Sequence, residues 1–80
     1  MEKKEILARL QELLRNILDS DNVVLTPDTR ADDVKGWDSI AHLRLMVATE
    51  EAFAVRFDVK EINSMQTVGA LVELVHRKVG

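Results

Sequence analysis

Residues 3–18 read Lys3-Lys4-Glu5-Ile6-Leu7-Ala8-Arg9-Leu10-Gln11-Glu12-Leu13-Leu14-Arg15-Asn16-Ile17-Leu18. Ile6, Leu7, Leu10, Leu13, Leu14, Ile17 and Leu18 fall at offsets 0, 1, 4, 7, 8, 11 and 12, which is one apolar stripe on a 3.6-residue period. Lys4, Glu5, Glu12 and Arg15 occupy the opposite face. The spacing predicts a helix over 3–18. The rest of the chain favours the same class. It holds three Gly and one Pro, its aromatic residues are Trp37, Phe53 and Phe57 alone, and its β-branched runs are short.

Outward from this helix, Asp19-Ser20-Asp21-Asn22 stops the periodic pattern, and Pro27 pushes Thr26 toward an extended conformation. Residues 19–38 therefore read as one long connection. It carries Asp19, Asp21, Asp28, Asp32, Asp33 and Asp38 against Arg30 and Lys35, a local charge of -4 within a chain of net charge -3. A connection this long in a small domain is functional or contains a short helical turn. Val23, Val24, Leu25 and Val34 are expected to pin it to the core.

Gly36-Trp37-Asp38-Ser39 opens a second helix over about 39–53, with Gly36 allowing a sharp entry and Asp38 or Ser39 as N-cap. Ile40, Leu43, Met46, Val47 and Phe53 are its expected apolar stripe. A short helix is expected at 59–64, where Asp58 and Glu61 have capping-box spacing. The last helix is expected over 68–78, capped by Thr67, burying Val68, Leu71, Val72, Val75 and Val79. Arg77 and Lys78 sit in its last turn, where cations suit the helix dipole. The fold expected is all-α: three main helices and one short one, with a long acidic first connection.

Composition bounds the function. Eighty residues make one small domain, 1–80, too small to enclose a deep catalytic pocket of ordinary size. Hydrophobic residues at 46% and charged residues at 31% are a globular balance. The net negative charge argues against a nucleic-acid partner. The absence of cysteine removes disulfides, thiolate chemistry and cysteine-based metal sites. No apolar run is long enough for a membrane span, and the mixed charges of Met1–Ile6 do not read as a signal peptide, so the cytoplasm is the expected compartment.

Asp38, Ser39 and His42 are the right residue types for nucleophilic catalysis. Neighbours on one exposed helical turn, with no pocket wall or oxyanion hole, do not make a hydrolase, and no catalytic residue is assigned. No metal is expected either. His42 and His76 are far apart, and the calcium-like start at Asp19 meets Val24 and Arg30 where a Gly and a Glu are needed. One chemical suggestion survives. A hydroxyl at a helix start lies beside unpaired backbone N–H groups, where a phosphate is well accommodated.

Gly36-Trp37-Asp38-Ser39-Ile40 resembles the attachment motif of acyl carrier proteins, Gly-x-Asp-Ser-Leu, with Ile40 in place of Leu. The resemblance extends over nearly the whole chain: Thr26-Pro27-Asp28 in the long connection, Glu50-Glu51-x-Phe53 closing the second helix and Thr67-Val68 opening the last. It implies that a phosphopantetheinyl transferase attaches 4′-phosphopantetheine to Ser39, with Asp38 and Gly36 shaping the site. It further implies that acyl-loading and acyl-processing enzymes dock against Trp37, Ile40, Arg44, Val47, Glu50 and Glu51 of a carrier that is expected to be a monomer. Such a carrier is not an enzyme. Its arm raises the effective concentration of a tethered acyl group at partner sites. Residues 39–54 hold only Glu50 and Glu51 against Arg44, fewer acids than fatty-acid carriers of this family usually show. A specialised lipid or polyketide-like pathway is therefore expected. The alternatives are an aminoacyl or peptidyl carrier, and a helical interaction module with no prosthetic group that uses Ser39 only as a cap.

Overall fold

A computed structural model describes residues 1–79, and within them the regular structure is helical throughout. Helix α1 spans Lys3–Leu18, α2 Ser39–Phe53, α3 Val59–Ser64 and α4 Val68–Val79. The long connection contains the expected short turn, a 3-10 helix at Ala31–Asp33. Helix α1 packs against both α2 and α4. Its Ile6, Leu10 and Leu14 are fully buried, while Leu7, Leu13, Ile17 and Leu18 flank them half-buried. In α4, Val68, Leu71, Val72 and Val75 are buried as expected, and Val79 lies at the edge of the core. No helix among the described residues is long and apolar enough to cross a membrane.

Each helix end has a local cause. Helix α1 stops where Asp19 takes the left-handed conformation and its N–H bonds to the Arg15 carbonyl, a geometry Asp tolerates better than most residues. Asp58 and Glu61 form the expected capping box on α3, at 2.7 and 2.9 Å. Thr67 caps α4 by accepting the Ala70 N–H at 3.2 Å. Helix α2 ends at Ala54, which carries a positive φ of 55° without being glycine.

The second helix buries Met46 and Phe53 of its expected stripe but turns the other three residues outward, as the expected partner contacts at Ile40 and Val47 require. Ala41, Leu45, Met46, Thr49 and Phe53 point inward, while Ile40, Leu43 and Val47 are 66%, 55% and 46% exposed. Ser39–Thr49 contains so few polar residues that both faces satisfy an apolar helical pattern. The face that turns inward carries small Ala41 and Thr49, which allow close approach, and the Thr49 hydroxyl is satisfied by the Leu45 carbonyl at 2.6 Å. In the long connection Val23 and Leu25 are buried but Val24 is 66% exposed, because an extended segment alternates its faces.

The connection is tied down by polar side chains of α1. Arg15 Nε donates to the Val23 carbonyl at 2.8 Å, and Gln11 Oε1 accepts the Leu25 N–H at 2.9 Å. Arg15 is therefore half-buried and is not simply on a solvated face. At the other end, the Val68 and Gly69 N–H groups donate to the Thr29 and Pro27 carbonyls, both at 2.8 Å. A Cβ on Gly69 would lie 2.8 Å from that Pro27 oxygen. Alanine gains up to about 1 kcal/mol over glycine in a helix, but overpacking against fixed backbone costs about 1–3 kcal/mol. Gly69→Ala is therefore expected to lower stability in urea unfolding, against its helix propensity.

Helix α3 has no fully buried residue. The Asp58 N–H, with Lys78 at 3.2 Å, holds the Glu61 carboxyl below the usual carboxylate range. A carboxyl depressed in the folded state contributes stability above its unfolded value, and that contribution is lost as pH falls through the folded value. Stability should thus fall below about pH 4.5, and Glu61→Gln should flatten part of that acid limb in urea titrations at successive pH values.

Candidate functional site

The start of α2 is built by three consecutive constraints. Gly36 adopts φ +91°, which side chains of L-residues rarely take. This turn directs Trp37 into the core, where it is 9% exposed. Asp38 is the N-cap, and its Oδ1 accepts the Ala41 N–H at 2.8 Å while its carbonyl accepts the His42 N–H at 2.9 Å. Ser39 is then the first helical residue and is exposed.

The three serines differ in what their hydroxyls do. Ser20 Oγ accepts the Asn22 N–H at 3.3 Å, and Ser64 Oγ donates to the Glu61 carbonyl at 3.1 Å. The Ser39 hydroxyl makes no hydrogen bond among the described residues. With Asp38 occupying Ala41 and His42, the first-turn amides of Ser39 and Ile40 also remain without a protein partner there. An exposed hydroxyl beside two open N–H groups at the positive end of a helix suits a phosphodiester.

The arrangement does not suit hydrolysis. His42 Nδ1 accepts from Trp37 Nε1 at 3.3 Å, and Nε2 lies 3.3 Å from the Ile62 carbonyl. Both ring nitrogens are thus engaged away from Ser39, and Asp38 is engaged with the backbone, so no base is aimed at the hydroxyl. The sequence pattern predicts an exposed His42; in the structure it is half-buried and joins the long connection, α2 and α3. Only its three-residue offset from Ser39 placed it near the site, and nothing local announced its partners.

The residues expected to meet partners divide. Ile40, Arg44, Val47 and Glu51 are exposed on the outer side of α2, and Leu43, expected in the buried stripe, is exposed beside them. Trp37 is buried and packs the loop, and what little of it stays exposed lines the groove beside Ser39. Glu50 is half-buried, and its Oε2 accepts the Phe57 N–H at 2.8 Å, fastening the turn after α2. Its carboxylate serves the fold first. Beside Ser39 opens a groove of about 500 Å³ between the 3-10 turn, α2 and α3.

A family model described as a phosphopantetheine attachment site matches residues 8–75. The acyl carrier protein MbtL of Mycolicibacterium paratuberculosis is 39% identical over 69 residues, covering 86% of this chain and 78% of that protein. The solved holo acyl carrier protein of Geobacter metallireducens aligns with a TM-score of 0.84 at 36% identity, over 91% of this chain and 84% of the other. That of Thermotoga maritima aligns with a TM-score of 0.86 at 26% identity, over 99% and 92%. The chain belongs to the acyl carrier protein family, whose members are non-catalytic helical carriers of a 4′-phosphopantetheine arm.

Proposed function

We propose that Ser39 is the attachment residue and that the chain shuttles acyl thioesters for a dedicated, specialised lipid or polyketide-like pathway. In the attachment step Ser39 Oγ forms a bond to the phosphorus that bears the pantetheine arm of coenzyme A. The pyrophosphate P–O bond breaks, 3′-phosphoadenosine 5′-phosphate leaves, and the hydroxyl proton passes to a base of the transferase. The observation that carries this reading is the unengaged, exposed hydroxyl of Ser39 on the first turn of a helix capped by its neighbour Asp38. The arm's thiol then supplies the nucleophile that a chain without cysteine lacks.

The dedicated pathway is supported by the surface around the site. Arg44 is the sole Asp, Glu, Lys or Arg in Ser39–Thr49, and its exposed neighbours Ile40, Leu43 and Val47 are apolar. Such a face selects acyl-loading and acyl-processing partners by apolar fit more than by bulk negative charge. The 39% identity to a carrier bearing its own designation, MbtL, points the same way. The carrier is read as a cytoplasmic monomer that meets each partner in turn.

Intact mass after incubation with coenzyme A and a promiscuous phosphopantetheinyl transferase tests the site. The expected outcome is one added phosphopantetheinyl group on the unaltered chain and none on Ser39→Ala. Because Asp38 and not Ser39 is the cap, Ser39→Ala should unfold within about 0.5 kcal/mol of the unaltered chain, whereas Asp38→Ala should lose about 1 kcal/mol. A folded Ser39→Ala that still gains the group overturns the assignment.

A further inference from the structure

The groove beside Ser39 has mixed chemistry. Asp32 and Asn63 offer a carboxylate and an amide on its sides, while Leu43, Ile62 and Met65 offer apolar surface. Its volume, about 500 Å³, lies within the range of roughly 300–1,000 Å³ usual for small-molecule sites. A second space, lined by Trp37, His42, Val68 and Leu71 among others, holds only about 20 Å³, room for one water. The groove is therefore a surface channel, and Trp37 and His42 line both it and the smaller space, their ring centroids 6.0 Å apart and planes inclined at 30°.

One side of this channel is α3, which no fully buried side chain anchors. Its ties to the other helices include the Lys78–Glu61 ion pair at 3.2 Å and the His42–Ile62 contact at 3.3 Å. The indole N–H of Trp37 can only donate, so the His42 Nδ1 it meets is the acceptor. That leaves the imidazole proton on Nε2, where it donates to the Ile62 carbonyl. One histidine thus links the connection before the site, the helix that carries it and the helix opposite.

We propose that His42 is a positioning residue: by holding α3 and Trp37 in place it preforms the channel in which a phosphopantetheine arm on Ser39 lies. Asp32 and Asn63 would take the arm's amides, and Leu43, Ile62 and Met65 would cover its dimethyl carbon and methylenes. An arm of alternating amides and short alkyl pieces matches these alternating walls better than an unbroken hydrocarbon does. This proposal rests on Ser39 as the attachment residue, and its test separates the two.

The experiment uses isotope-labelled protein carrying an unlabelled arm, with loading verified by mass, and reads isotope-filtered nuclear Overhauser contacts from arm to protein. Contacts from the arm's methyl groups to Leu43, Ile62 and Met65 are expected, with a shift of the Asn63 side-chain amide between the apo and loaded forms. His42→Leu should lose these contacts in loaded samples, and it should move the indole N–H resonance of Trp37, the only tryptophan, toward the position of a non-bonded indole. His42→Gln, which can accept and donate at similar reach, should restore both signals in part. Loaded protein with shifts confined to the immediate neighbours of Ser39 overturns the channel and leaves the attachment residue standing. A folded His42→Leu whose contacts persist overturns the positioning role of His42 and leaves the channel standing. Failure of the unaltered chain to load overturns both.

Discussion

The structure depends on fastening a twenty-residue connection across a bundle of only eighty residues. Four polar bonds do most of this: Gln11 and Arg15 hold Leu25 and Val23 against α1, and the first amides of α4 take the carbonyls of Pro27 and Thr29. The last two serve both partners. A helix N-terminus needs acceptors for its unpaired N–H groups, and a segment crossing it has carbonyls that need donors. Gly69 is what lets the two backbones approach to that distance. Without this crossing, Gly36, Trp37 and Asp38 would have no fixed frame, and the start of α2 would have no fixed position.

That frame explains how a helix start presents a free hydroxyl. Serine is a common N-cap, and as a cap its oxygen would be bonded to the backbone. Here Asp38 takes the capping role one residue earlier, so Ser39 enters the helix with its side chain unengaged. Burial of Trp37 on one side and capping by Asp38 on the other determine which residue is left outside. The motif is thus a division of labour among neighbours: glycine for the turn, tryptophan for the anchor, aspartate for the cap.

Much of this was legible in the sequence, and the misses share a cause. Helices α1 and α4 have one apolar and one polar face, so periodicity alone identifies what they bury. Helix α2 is apolar on nearly every side through Thr49, so Ile40, Leu43 and Val47 fit a buried stripe as well as Ala41, Leu45 and Thr49 do. Only packing against α1 decides between them, and it favours the side with small residues. Val24 faces out because the connection is extended there and alternates its sides, which an apolar run of Val23, Val24 and Leu25 does not reveal. His42 and Glu50 were read as surface residues because their partners, Ile62 and Phe57, follow twenty and seven residues later. Position in the chain carries no trace of such pairings.

The same apolar excess in α2 has a functional consequence. A helix with one apolar face uses it for the core and has nothing left to offer. Helix α2 fills its share of the core with Ala41, Leu45, Met46 and Phe53 and still shows Ile40, Leu43 and Val47 to solvent. Exposed residues of this size, aligned on one helix beside the open hydroxyl, are a cost to solubility that a purely structural helix has no reason to bear. Arg44 among them gives the face a fixed cationic point rather than an acidic field. Glu51, one turn beyond Val47, adds a single acid to the same side. The sequence pattern that obscures the buried side of α2 is therefore the same feature that leaves its outer side apolar, the property on which the proposed partner contacts rest.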